Sequence, residues 1–177
     1  MGFRSKKTSD AGVLYEYAVG ALGRKMRSVA ELKRLLRQRV AAGDQGEALV
    51  EAVIIKLKEQ KYLNDASYAA AYSTYRKENE RFGRMRVIAD LKAKGVHGEV
   101  IDKAVSAAYA GSDEEQLARA YLRRKNLRKP TDEKQAARIF RSLRRAGFTS
   151  RTIIRILKNW HVDDEVLTAL ESEEQSG

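Results

Sequence analysis

Leu91-Lys92-Ala93-Lys94-Gly95-Val96 and Leu143-Arg144-Arg145-Ala146-Gly147-Phe148 carry one pattern: a leucine, basic residues, a glycine, then an apolar residue. They lie 52 residues apart, and at that spacing Val87 falls on Ile139, Ile88 on Phe140, Ile101 on Ile153, Ala104 on Ile156, Val105 on Leu157 and Ala108 on Trp160. No gap is needed over 87–108 against 139–160. The shared glycine stands where a helix can end in the left-handed conformation that side chains resist. The first third matches more loosely. Leu36-Arg37-Gln38-Arg39-Val40 has Arg39 in place of the glycine, and Val50, Val53, Ile54 and Leu57 follow after a loop longer by four residues.

Each copy follows another apolar-striped helix, near 14–22, 66–76 and 114–124. The unit is therefore helix, helix, turn, helix, about 50 residues long and present three times. A unit of that size is near the lower limit for independent stability, and stacking units in tandem buries shared apolar surface. The expected fold is all-α: three tandem three-helix repeats forming an elongated, curved array. The boundaries read as a flexible N-terminus over 1–10, repeats over 11–63, 64–111 and 112–162, and a short terminal helix and tail over 163–177, disordered after Glu171.

Local signals supply the helix ends. Leu14, Tyr17, Ala18, Ala21 and Leu22 form one helical stripe. Ser28 with Glu31 reads as a capping box, and Ser112 with Glu115 as a second. Gly43-Asp44-Gln45-Gly46 reads as a turn, Asn64 or Asp65 as a cap, Pro130-Thr131 as a helix start, and Thr149 or Ser150 as the last cap. Val53-Ile54-Ile55 and Ile153-Ile154 could be short strands, but their flanks keep the helical period.

Composition narrows the function. The 177 residues carry 35 Lys+Arg against 24 Asp+Glu, a formal net charge of +11, which fits equally a cationic face aimed at a polyanion and a solvated helix surface laced with salt bridges. Cysteine is absent, which removes disulfides, thiol nucleophiles and thiolate metal sites. No apolar run reaches the roughly 20 residues that span a bilayer, and no secretory pattern follows the basic start. Neither His97 nor His161 belongs to a ligand cluster. No phosphate-binding loop occurs, because Gly20-Ala21-Leu22-Gly23-Arg24-Lys25 lacks the spacing and a preceding strand. No catalytic, cofactor-binding or metal site is expected.

The basic excess is concentrated between Arg119 and Lys158, where 14 basic residues meet only Asp132 and Glu133. Arg119, Arg123, Arg124, Lys125 and Arg128 fall on or just after one helix. Arg138, Arg141, Arg144 and Arg145 recur at helical spacing on the next, and Arg151, Arg155 and Lys158 on the last. Arg84, Arg86, Lys92 and Lys94 form a smaller group in the middle repeat. Arginine outnumbers lysine, which suits bidentate contact to phosphate or carboxylate. Tyr68, Tyr72, Tyr75, Tyr109 and Tyr121 could stack on bases, but their spacing favours packing in the core, and Trp160 reads as core on the same ground.

Arg27-Ser28 with Glu31-Leu32, the connector Tyr62-Leu63-Asn64-Asp65, then Tyr68-Ala69 and Tyr72, resemble RecX-type regulatory proteins. So does Gly83-Arg84 leading to Asp90-Leu91-Lys92-Ala93-Lys94-Gly95-Val96. The resemblance covers most of 14–160. Departures are Lys61 for a usual glycine, Asn64 for a usual aspartate, Asp90 for a usual glutamate, and Arg39 at the first turn. The resemblance implies a non-enzymatic, monomeric cytoplasmic protein acting in DNA repair, recombination and the SOS response. Such proteins bind the RecA recombinase and its filament on single- or double-stranded DNA. They modulate, mostly negatively, its ATPase, growth and strand exchange. These basic residues of the middle and third repeats would then be the RecA or DNA contacts. The composition alone also fits a sequence-independent DNA- or RNA-binding helical protein acting without a recombinase.

Overall fold

A computed structural model of the chain describes residues 7–175; the flexible ends expected at 1–10 and after 171 fall partly outside that range. Among the described residues there are ten helices and no strand. In chain order they are α1 (Ala11–Arg24), α2 (Val29–Arg37), α3 (Asp44–Glu59), α4 (Asp65–Glu78), α5 (Arg84–Ala93), α6 (Gly98–Tyr109), α7 (Glu114–Arg124), α8 (Glu133–Arg145), α9 (Ser150–Asn159) and α10 (Asp164–Gln175). The expected helical repeat is present as α1–α3, α4–α6 and α7–α9.

The described residues divide into two compact units, one within Met1–Ala71 and Leu91–Ile101, the other within Tyr72–Asp90 and Asp102–Gly177. In the first unit α3 packs on both α1 and α2. Leu14, Ala18, Leu32, Leu36, Val50, Ile54 and Leu57 are its buried centre. Ser28 is the N-cap of α2 and completes the expected box with Glu31. Its hydroxyl also donates to the Lys94 carbonyl at 2.6 Å, and Lys94 pairs with Glu31 at 2.9 Å. Asn64, rather than Asp65, caps α4 by accepting from the Ala66 and Ser67 amides. Asp65 instead accepts from the Val29 amide at 2.8 Å.

In the second unit α9 packs on α7, α8 and α10. Leu117, Tyr121, Phe140, Leu143, Phe148, Ile153 and Leu157 fill the core. Thr149 caps α9. The side chain of Glu114 accepts from Thr149 and Thr152, which ties the start of α7 to the start of α9.

Three local expectations need correction. Gly43-Asp44-Gln45-Gly46 is not all turn: α3 begins at Asp44, and Gly46 is buried where a methyl would lie 1.9 Å from the Ala41 carbonyl oxygen. Asp113, not Ser112, caps α7, because its carboxylate reaches the Glu115 and Gln116 amides. Trp160 caps the end of α9 and packs against the edge of the core, partly buried rather than within it. Pro130-Thr131 precedes α8, whose cap is Asp132.

Candidate cationic interface

Helix α8 explains why arginine is exposed where it is. Its apolar face buries Ala136, Ile139, Phe140 and Leu143. Helical geometry turns Lys134, Arg138, Arg141 and Arg145, spaced four, three and four apart, to the opposite side. All four are exposed. On α7, Leu117, Ala118, Tyr121 and Leu122 are buried, and Arg123 and Arg124 face out; Lys125 and Arg128 follow, also exposed. On α9, Arg151, Arg155 and Lys158 are exposed beyond the buried Ile153, Ile156 and Leu157.

Partners separate these cations into two classes. Arg119 is held by Glu115 at 2.7 Å, and Arg155 reaches the same carboxylate at 3.6 Å. Arg124 pairs with Glu80 at 3.0 Å and Lys158 with Asp164 at 2.9 Å. Arg144 donates to the Phe148 carbonyl at 3.0 Å. By contrast, among the described residues Arg123, Lys125, Arg128, Arg138, Arg145 and Arg151 have no side-chain hydrogen bond or ion pair. A charge with no internal partner keeps its full field and loses no ion pair when an anion arrives.

The middle group is dispersed. Arg84 donates to the Ser106 hydroxyl at 2.8 Å. Arg86 pairs with Asp90 at 2.9 Å and reaches the Arg145 carbonyl at 3.4 Å. That contact ties the Arg86 side chain to the main chain at the end of α8, far away in sequence. Lys92 and Lys94 belong to the first unit, where Lys92 is exposed and Lys94 is engaged with Glu31.

Burial opposes ionisation of Glu31, but bonds from Lys94 and the Ser28 amide outweigh it and hold the carboxyl below its ordinary range. Burial pushes the Tyr68 and Tyr109 hydroxyls upward, so both stay protonated at any physiological pH. Tyr68 and Tyr121 are buried, while Tyr72 and Tyr109 donate to Asp90 and to the Phe82 carbonyl. Tyr75 departs from the expected packing, being 55% exposed.

The sequence missed Asp90 as a hub. It accepts from Tyr72 and pairs with both Arg76 and Arg86. Only the i, i+4 spacing of Arg86 and Asp90 signalled any of this. Among the described residues no group of three or more His, Cys, Asp or Glu is placed to hold a metal ion, and no helix is long and apolar enough to cross a membrane.

The model of the RecX second three-helix domain matches residues 64–105. A regulatory protein RecX of Myxococcus xanthus is 35% identical over 160 residues, covering 82% of this chain and 84% of that one. The chain belongs to the RecX family. A regulatory protein RecX of Pseudomonas fluorescens is 30% identical, covering 83% of this chain and 91% of that one. The chain spans 58% of the length of the RecX of Geobacillus kaustophilus, to which it is 29% identical over 88% of itself. The fold is similar to two crystal structures of RecX proteins. One has a TM-score of 0.68 and 20% identity, over 84% of this chain and 71% of that one. The other, from Lactobacillus salivarius, has a TM-score of 0.64 and 21% identity, over 85% and 96%.

Proposed function

We propose that this RecX-family chain is a non-enzymatic, monomeric cytoplasmic regulator that binds the RecA recombinase and its nucleoprotein filament and restrains ATP hydrolysis, filament growth and strand exchange. The observation that carries the proposal is the exposed α8 stripe Lys134, Arg138, Arg141 and Arg145, turned away from the core of a repeat protein. Tandem repeats suit a partner that is itself long and periodic. Arg123, Arg138, Arg145 and Arg151 would meet acidic recombinase surface or DNA phosphate; Arg119, Arg124, Arg155 and Lys158, already paired, would contribute less.

The test is RecA ATPase on single-stranded DNA with increasing amounts of this protein. The expected result is a dose-dependent slowing at amounts comparable to filament binding sites. No effect at several-fold excess contradicts the proposal. If the protein binds naked DNA as tightly as filament, with affinity falling steeply as salt rises, the reading without a recombinase takes its place.

A further inference from the structure

Gly83 and Gly147 meet backbone to backbone in the second unit. A methyl on Gly83 would lie 2.2 Å from the Gly147 carbonyl oxygen, and one on Gly147 would lie 2.2 Å from the Arg86 amide nitrogen. Both obstacles are main chain, so no side-chain rotation relieves them. Gly147 also sits at φ +91°, where a side chain is strained.

The close approach forms specific bonds. The Gly83 amide donates to the Ala146 carbonyl at 2.8 Å and the Met85 amide to the Gly147 carbonyl at 3.3 Å. Donors at a helix start and acceptors at a helix end have no partners inside their own helices. Here the start of α5 satisfies the end of α8, with opposite ends of the two helix dipoles together. Arg86 then reaches the Arg145 carbonyl at 3.4 Å.

We infer that the Gly83–Gly147 contact is a positioning device: it fixes the start of α5, which carries the exposed Arg84, and the end of α8, which carries the exposed Arg145, in one register, so that the filament meets cations from both helix ends as a single rigid surface. The inference rests on the recombinase reading above. Two half-surfaces held rigidly engage a long partner without the ordering cost that loosely joined pieces carry.

Gly83→Ala tests it. The chain has no cysteine, so Ala89→Cys with Glu133→Cys, both at exposed positions, accepts a pair of spin labels. In the parent protein the distance distribution between labels should be narrow and the Gly83 and Met85 amides slow to exchange. Gly83→Ala should broaden the first and speed the second, while helicity and Trp160 fluorescence hold. The concentration for half-inhibition of RecA ATPase should rise about tenfold. A broadened distribution with unchanged inhibition overturns the inference, and so does a distribution that stays narrow. Should Gly83→Ala fail to fold, Met85→Pro removes one of the two bonds in the first turn of α5, where proline is tolerated, and the same outcomes apply. If the parent protein itself leaves ATPase untouched, the recombinase reading falls and this inference with it; the distances still report the junction.

Discussion

Helices α2, α5 and α8 hold equivalent places in their repeats, and neighbouring members meet end to end in both units, but by different chemistry. In the first unit the end of α5 meets the start of α2 through side chains. Ser28 donates to the Lys94 carbonyl and Glu31 pairs with Lys94, while Asp65, at the start of α4, accepts from Val29 beside them. In the second unit the start of α5 meets the end of α8 through main chain, with a glycine on each side. The same junction can thus be made from replaceable groups that titrate, or from bonds that do not titrate and tolerate no added carbon.

The largest effect should come from Gly147→Ala. Left-handed strain and a main-chain overlap together cost about 2–5 kcal/mol, read by denaturant unfolding. Gly95→Ala should cost less, because its obstacle is the Ala30 methyl, 2.5 Å from the added carbon. Ala30→Gly should then restore part of the loss in Gly95→Ala and none in Gly147→Ala. Equal rescue of both would erase the distinction between the junctions. Ser28→Ala removes a cap and leaves the Lys94 carbonyl without its donor, for about 1–3 kcal/mol.

Acid should separate the two junctions. The Glu31 carboxyl is held below the ordinary value of about 4.3. Its contribution is therefore complete above that value and is lost as pH falls through the lower folded value. Amide exchange around Ser28 should speed up over that range before exchange at Gly83 does. Glu31→Gln should remove the difference; an unchanged acid profile would show that Glu31 does not hold the junction. The smallest effect is a gain. Lys61 follows the end of α3 at φ +62°, so Lys61→Gly should stabilise by about 0.5–1 kcal/mol in thermal unfolding.

The helices and their stripes were legible because burial demands a 3.6-residue period, and Leu91, Leu143, Ile101 and Ile153 repeat it in register. Gly95 and Gly147 were legible as helix ends, since only glycine takes that conformation cheaply. Their second role was not. Nothing in Arg81-Phe82-Gly83 says that its glycine touches Gly147, because such closeness depends on how whole helices stack. The cationic stripe of α8 was readable from spacing. The pairing of Arg124 with Glu80, or of Arg155 with Glu115, was not, because those partners come from the turn after α4 and from α7, distant in sequence.

Arg138 and Arg145 are exposed on one face of α8 and, among the described residues, have no side-chain ion pair. RecA ATPase on single-stranded DNA should be slowed by the parent protein and left nearly unslowed by Arg138→Glu with Arg145→Glu, with helicity and melting unchanged. Equal slowing by both proteins would contradict the claim that this face meets the filament.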